Sequence, residues 1–488
     1  MKLPYRLLPF RYKPLGEKIL LVNETGEYHA VTPEEWQRIV AGRLVPDEDI
    51  FHDLTAKDFI CSGYSPARIN RIAAKYRTRK KYLFESTALH MFVVTHRCNQ
   101  SCAYCHASSI ESLARSPRED MPPEVARKGV ERAFESPSPY LKFEFQGGEP
   151  TLNFETVEAI VRHAELLNVS AGKRIEFVIC TNLHSLQERH LDFYREHGIH
   201  VSTSLDGPEA LHDACRKTLS GEGTYRAATN AMKRVKSALG DDTLSALLTV
   251  TKHSIGALRD VINEYIASGF RSIFIRRLNM IGMAQQQGKN LHYADDQFLD
   301  AYVDALEYII ALNKQGCFFV EEFAAILLRK ILTPFGSGFV DMQSPAGTGL
   351  SAVIYDVDGG VFVSDEARML HRATGNADFR LGNACDKTRN ELFAAPILKR
   401  LMEDSALECL PGCAWCAYLP YCGSDPVRNF SLHGRLVSPK SHDPWCGFYK
   451  RTFDYLFGLL LSGDEEIASI LWSWATGLKP DTPGQAAI

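Results

Sequence analysis

From Leu89 onward, short apolar, often β-branched runs alternate with longer stretches of helical periodicity. Residues 89–95, 142–146, 175–180, 200–204, 244–251 and 272–278 read as strands; 154–167, 225–239 and 255–268 read as helices between them. Repeated βα units predict a parallel sheet. Six of them suit an incomplete, TIM-like (β/α)6 barrel of the α/β class better than a closed eight-fold one, with its site at the strand C-terminal ends. Ahead of the barrel, KILLVNETGEYHA (18–30) reads as two strands around a turn at Glu24 to Gly26. Thr32, Pro33 and Glu35 then form a capping box opening a helix. KYRTRKK (75–81) is dense in charge and reads as a linker. After Asn279 the pattern predicts two helices between about 295 and 331, a hairpin at 352–363 turning at Asp358 and Gly359, and packing helices at 448–462 and 465–476. The division expected is 1–85, a hairpin-helix unit; 86–282, the barrel; 283–350, a helical connector; 351–450, a cysteine-rich domain; and 451–488, terminal helices.

Length and charge narrow the partners. The chain has 488 residues, enough for several domains, and a formal charge of only -4, which implies neither nucleic acid nor a membrane surface. No apolar run reaches spanning length and the first residues lack a signal-peptide core, so a cytoplasmic location is expected. In a reducing compartment its 13 cysteines are ligands or free thiols sooner than disulfides.

The chemistry sits in the clusters of those cysteines. THRCNQSCAYCHASS puts Cys98, Cys102 and Cys105 on a loop directly after the first barrel strand. Three thiolates on one short loop can hold three irons of a cubane and leave the fourth open to a small chelating molecule. The competing reading is zinc, with His106 or His96 as fourth ligand. At the next strand ends stand Gln146-Gly147-Gly148-Glu149-Pro150, whose glycines allow close backbone approach to a ligand, then Cys180-Thr181-Asn182, and then Ser202 to Pro208, with Arg216 shortly after. Thr181, Asn182 and Asp206 equally suit strand-end polar groups that satisfy turns. Near the C-terminus, Cys413, Cys416, Cys422 and Cys446 have the spacing of an iron-sulfur site or a four-cysteine zinc ribbon. Cys385 and Cys409 read as ordinary thiols; a third site would need them plus a ligand such as Asp425.

The Cys-x-x-x-Cys-x-Tyr-Cys loop and the strand-end segments resemble the radical S-adenosylmethionine (SAM) superfamily. The resemblance implies a 4Fe-4S cluster on Cys98, Cys102 and Cys105 and reductive cleavage of SAM to a 5'-deoxyadenosyl radical. It implies cofactor contacts from Tyr104 (adenine), Gln146, Gly147, Gly148 and Glu149 (amino group), Thr181, Asn182, Ser204 (ribose or amino acid), Asp206 and Arg216 (carboxylate). The C-terminal cysteines resemble a SPASM extension, which implies an auxiliary 4Fe-4S cluster on Cys413, Cys416, Cys422 and Cys446. That pattern is incomplete: Pro426 stands where a further cysteine belongs, and Ser364-Asp365-Glu366 where another would follow the hairpin, so two clusters are implied and not three. Asp365 is a candidate proton acceptor.

LLPFRYKPLGEKILLVNETGEY, FEFQGGEPTLNFE, VDMQSPAG and CAYLPYCGSDP are similar to segments of the radical SAM maturases of His-Xaa-Ser peptide systems. That similarity implies a precursor-peptide substrate, an external electron donor such as flavodoxin or ferredoxin, and a second radical SAM maturase in the pathway. The N-terminal unit then suits leader-peptide recognition by strand addition, or else a cap on the barrel's open edge. The alternatives are sulfatase-maturase-like protein oxidation and a non-catalytic metal-binding protein.

Overall fold

The computed structural model describes residues 5–479 apart from 106, 108, 280–287 and 441–442. The amino-terminal unit is an antiparallel meander of β1 (Phe10–Leu15), β2 (Lys18–Asn23) and β3 (Tyr28–Val31), followed by α1 (Pro33–Val40), α2 (Asp49–Ala56) and α3 (Pro66–Arg79). The capping box forms as the sequence predicts: Thr32 accepts from Glu35 N while the Glu35 carboxylate takes Thr32 N. β2 is buried on both faces. Leu21 joins a small core with Ile39, Leu54 and Phe59, whereas Leu20 and Val22 point into the main core of the molecule. A strand apolar on both faces must be covered on both, so the meander is clasped between its own helices and the barrel.

The charged stretch 75–81 is not a linker. Most of it is the end of α3, and its cations have partners: Arg79 donates to the carbonyls of Thr25 and Lys330 and lies over the Tyr421 ring, and Lys80 pairs with Glu408 at 2.7 Å. Sequence periodicity identified the charges but not that they tie the unit to the rest of the chain.

Six parallel strands follow: β4 (Leu89–Thr95), β5 (Tyr140–Gly147), β6 (Arg174–Cys180), β7 (His200–Ser204), β8 (Leu244–Thr249) and β9 (Ser272–Arg276). The chain returns between them through α4 (Pro123–Phe134), α5 (Phe154–Ala171), α6 (Glu188–Glu196), α7 (Tyr225–Leu239) and α8 (Leu258–Ala267). Helices on the outer face leave the strands dry on both sides; Phe92, Val93 and Val94 of β4 are fully buried.

Both edges of this half-barrel are covered. After α9 (Asp295–Lys314), β10 (Val320–Glu321) adds in parallel to β9 and leads into α10 (Glu322–Leu332). On the other edge β11 (Ala352–Tyr355) adds in parallel to β4, with Ala352 opposite Leu89, and continues antiparallel into β12 (Gly360–Phe362) and β13 (Arg380–Asn383). The resulting ten-stranded order is β10-β9-β8-β7-β6-β5-β4-β11-β12-β13. The hairpin expected in a separate C-terminal domain is thus part of the barrel sheet, and it, not the N-terminal meander, saturates the open edge of β4. The remainder comprises α11 (Asp365–Thr374), α12 (Pro426–His433), α13 (Pro444–Leu460) and α14 (Glu465–Thr476).

Candidate active site

The strand C-terminal ends open on a cavity of about 660 Å³. Cys98, Cys102 and Cys105 line it, as do Tyr104, Gln146, Gly147, Gly148, Thr181, Asn182, Ser204, Arg216 and Asp365. Glu149 and Asp206 do not.

The cysteine loop is held from three directions. Arg97, buried beside Cys98, donates to Asp120 (2.8 Å) and to the carbonyls of Leu113 and Leu152 (2.8 Å each), pinning the loop to both neighbouring connections. Gln100–Cys102 pairs antiparallel with Arg216–Thr218, which sets Arg216 directly opposite Cys102. Burial, followed by the neighbouring Glu149 charge, raises the Cys98 thiol; burial lifts Cys102 to about 12, against the guanidinium of Arg216. Cys102 and Cys105 each raise Cys98 further, so the three thiols are close neighbours. Desolvated thiols crowded on one loop are a poor arrangement unless a cationic group draws off their protons, and this donor set suits an iron-sulfur cubane. Among the described residues no three His, Cys, Asp or Glu side chains close around a single ion; a cubane places each thiolate on its own iron and needs no such convergence. His96 is no fourth ligand, because Glu119 (2.8 Å) and Asp356 (2.6 Å) occupy both ring nitrogens. His106 lies outside the described residues.

The glycine segment packs tightly against the cysteine loop. A Cβ on Gly147, whose φ is +139°, would fall 2.0 Å from the Thr95 carbonyl oxygen, and one on Gly148 would fall 2.1 Å from that of Arg97. The close approach that demands glycine is therefore to the cysteine loop's own backbone. Gln146 faces the cavity with its amide on Glu144.

Glu149 clamps two strand ends together. It is 1% exposed, and its carboxylate accepts from Thr151 N (3.2 Å), Thr151 Oγ1 (2.7 Å), Thr181 Oγ1 (2.6 Å) and Asn182 N (2.8 Å). With three donors on Oε1 and one on Oε2, it locks the β5 end to the β6 end. Thr181 and Asn182 reach the cavity all the same, and Asn182 Nδ2 donates to Asn99 Oδ1 at 2.8 Å beside Cys98.

Asp206 sits behind the wall and aims Arg216. Its Oδ2 accepts from Arg216 Nε (2.9 Å) and from the Tyr104 hydroxyl, while the guanidinium lies over the Tyr104 ring, 5.2 Å from its centre. Arg216 Nη1 is 4.0 Å from Cys102 Sγ. A guanidinium bound at Nε, stacked on one face and open at its Nη edge is suited to a bidentate carboxylate. Tyr104, with its hydroxyl committed, offers the cavity only its ring. Ser204 lies on the wall at the end of β7.

Asp365 opens α11 after its cap Ser364 and lines the cavity, but Arg368 holds its Oδ1 through Nε and Nη2, both at 2.8 Å. Only Oδ2 remains for other work. Nearby lining residues that sequence reasoning passed over as site members are Arg276, Asp341, Glu366, Arg428 and Trp445. They belong to five separate segments, so spacing carried no signal for them. α13, expected only to pack, contributes Trp445, Phe448 and Tyr449 to the wall.

The second cysteine group gathers off the cavity. Cys413 is raised to about 11 and Cys422 to about 12, first by burial; Cys416 and Cys446 add to both shifts. Cys446 stands in the first turn of α13, and burial raises its thiol against the nearby Lys450 and Lys440. Cys385 and Cys409 are exposed, and the charges that act on Cys385 come from Asp386, Lys128, Asp358 and Glu124 and from no other cysteine.

Residues 92–264 match the model of the radical SAM superfamily. The chain carries a radical SAM domain. A cysteine-type anaerobic sulfatase-maturating enzyme of Clostridium perfringens is 23% identical over 376 residues, 75% of this chain and 95% of that enzyme. With an uncharacterized protein of Methanocaldococcus jannaschii the chain is 28% identical over 180 residues and spans 59% of that relative's length. Among solved structures, native anSMEcpe with bound AdoMet and Cp18Cys peptide superposes with a TM-score of 0.63 at 22% identity, covering 77% of this chain and 98% of that one. Streptococcus suis SuiB bound to precursor peptide SuiA superposes with a TM-score of 0.52 at 13% identity, covering 88% and 98%. At these identities the structural likeness is one of fold. A radical SAM domain works with a 4Fe-4S cluster and SAM. Among the described residues no helix is long and apolar enough to cross a membrane.

Proposed function

We propose that this radical SAM enzyme modifies a ribosomally made precursor peptide, in the manner of the His-Xaa-Ser maturases that its sequence resembles. One observation carries the reading: a single cavity of about 660 Å³ is bordered both by the three-thiol loop with Arg216 and by a broad charged and aromatic lining, so a polypeptide side chain has room beside a nucleoside. A relative that matures sulfatases and a fold neighbour bound to its precursor peptide support a peptide substrate.

When bound, the cluster and SAM supply the electron and the 5'-deoxyadenosyl radical that removes a substrate hydrogen. Cys98, Cys102 and Cys105 would hold the cluster. Arg216, fixed by Asp206, would hold the SAM carboxylate; Tyr104, Ser204, Thr181 and Asn182 would shape the nucleoside side, and Gly147 and Gly148 bring that wall close to the cysteine loop. Cys413, Cys416, Cys422 and Cys446 would hold an auxiliary 4Fe-4S cluster. Residues 1–85 would take the leader peptide, 86–282 the radical chemistry and 351–450 the auxiliary cluster. A cytoplasmic setting, an external flavodoxin- or ferredoxin-type donor and a second maturase go with this reading. Sulfatase-maturase-like oxidation stands second, on the 95% coverage of the C. perfringens enzyme.

The test is anaerobic reconstitution with quenched-reaction chromatography for 5'-deoxyadenosine, followed by mass spectrometry of the short peptide encoded beside the gene after coexpression. A mass change in that peptide supports the proposal. A sulfatase-derived peptide modified in its place establishes the second reading, and absence of 5'-deoxyadenosine overturns both.

A further inference from the structure

Part of the cavity lining holds more charge than it pairs. Arg276 at the end of β9, Asp341 in the turn Val340–Met342, Glu366 in the first turn of α11, and Asp425 and Arg428 at the start of α12 all face it. Their neighbours are neutralised: Asp365 by Arg368, and Arg277 by Asp295. Asp425 caps α12 through Arg428 N at 2.9 Å. Arg428 is 8% exposed, lies with its guanidinium 4.3 Å from the centre of the Trp445 ring, and has an Nε buried without a partner among the described residues. The guanidinium lies near Asp341 and Asp443, yet its Nε is a buried donor without an acceptor, which costs stability and which an acceptor arriving with a ligand would satisfy.

The sign of the rest of that ligand follows from the charges. When all are ionised, three carboxylates, Asp341, Glu366 and Asp425, exceed the two guanidiniums that face them, Arg276 and Arg428, by one negative charge, while Asp443 nearby is paired with Lys440. Desolvation in the cavity, and then repulsion among these acids, raises both Asp341 and Glu366. One added cation relieves that repulsion. Beside it, Trp445, Phe448 and Tyr449 offer an apolar wall of the kind that covers the methylene stem of lysine or arginine. Ser364 and Pro426, the positions where a fuller SPASM pattern would have cysteines, immediately precede Asp365 and follow Asp425.

We propose that this region is the specificity pocket for a basic residue of the substrate, its side-chain cation held among Asp341, Glu366 and Asp425 and its main-chain carbonyl accepting from Arg428. The proposal rests on the peptide-substrate reading and names which residue the enzyme selects.

Ligand-observed NMR titration of the anaerobically reconstituted full chain tests it with three probes of one backbone: Nα-acetyl-lysinamide, Nα-acetyl-norleucinamide and Nα-acetyl-glutamine's acidic counterpart, Nα-acetyl-glutamic acid amide. The lysine probe is expected to bind about tenfold or more tighter than norleucine, as a charge-assisted contact implies, and the acidic probe more weakly still. In D341N/E366Q the lysine preference disappears, whereas R428Q weakens the lysine and norleucine probes alike. Equal binding of lysine and norleucine by the wild type, tighter binding of the acidic probe, no binding of the lysine probe, or a preference that survives D341N/E366Q overturns the proposal. The wild-type comparison needs no variant to fold. It also needs no turnover, so its failure is distinct from failure of the peptide reading, which would appear as an unmodified coexpressed peptide.

Discussion

Replacing Glu149 by glutamine separates two accounts of the Gly-Gly-Glu-Pro segment. If the carboxylate serves the cofactor, the variant binds SAM weakly and folds normally. The geometry requires the reverse. Oε2 receives only Asn182 N (2.8 Å), and Oε1 receives Thr151 N (3.2 Å) and two threonine hydroxyls (2.6 and 2.7 Å). A glutamine whose oxygen stays at Oε1 turns its amide NH2 toward the Asn182 N–H, stranding two donors in a site that is 1% exposed. The flipped amide opposes Thr151 N–H, although the hydroxyls can rotate to accept from it. Each stranded buried donor costs about 1 to 3 kcal/mol, so Glu149→Gln should lose about 3 kcal/mol from the unfolding of the barrel. Urea titration followed by tryptophan fluorescence should show the lowered midpoint in the cluster-free protein as clearly as in the reconstituted one, because the partners are all protein groups. An unchanged midpoint combined with at least tenfold weaker SAM binding would refute the clamp and restore Glu149 to the cofactor site.

Four further outcomes follow from the same coordinates. Replacing Cys98, Cys102 and Cys105 together by alanine should abolish 5'-deoxyadenosine formation and lower iron from roughly eight to roughly four per chain, measured by iron and sulfide assay, with Cys413 and Cys416 accounting for the remainder. Arg216→Ala should weaken equilibrium SAM binding about tenfold or more, since a charge-assisted pair is worth about 1.5 to 3 kcal/mol, while the cluster's absorption spectrum persists. Asp365→Asn should lower peptide turnover if its Oδ2 accepts a substrate proton; full turnover assigns the residue to its pairing with Arg368. Glu321 is fully buried on Tyr302 OH (2.5 Å), Ala324 N (2.6 Å) and Ile275 N (3.1 Å), and desolvation lifts its pKa from 4.5 to about 7. The folded state then holds a proton that the unfolded chain has released, so stability falls by up to about 3 kcal/mol as pH rises from 4.5 to 7, and Glu321→Gln should flatten that slope in urea midpoints.

The barrel strands were legible because parallel strands covered on both faces need unbroken apolar runs, and six such runs lie between helical stretches. β1 was less so: FRYKPL carries a proline and two cations, and it becomes a strand only because β2 beside it supplies a full ladder. The seat of β11 on β4 was not legible either. Its residues announce a hairpin, but which sheet edge receives the hairpin depends on a pairing between residues 89 and 352 that no local pattern encodes.

In the site, legibility follows how far each role depends on residue type alone. Thiolates are the usual ligands of an iron-sulfur cluster, so Cys98, Cys102 and Cys105 stand out by type and spacing. Glu149 and Asp206 stand out by type and position, but the protein groups they hold are not legible there, because a carboxylate's partners are set by whichever donors reach it first. For Glu149 those donors come from its own turn and the next strand end; for Asp206 they are Arg216 and Tyr104. Arg428 is the limiting case. An arginine in a short helix is unremarkable in sequence, and what marks this one is the combination of a buried Nε without a partner among the described residues, a stack on Trp445 and a place in a cavity whose walls come from the barrel, α11 and α13. An unmet hydrogen-bonding need is a property of an arrangement and not of a residue, so the part of the site that selects the substrate stays hidden until the fold is known, while the part that holds the cluster does not.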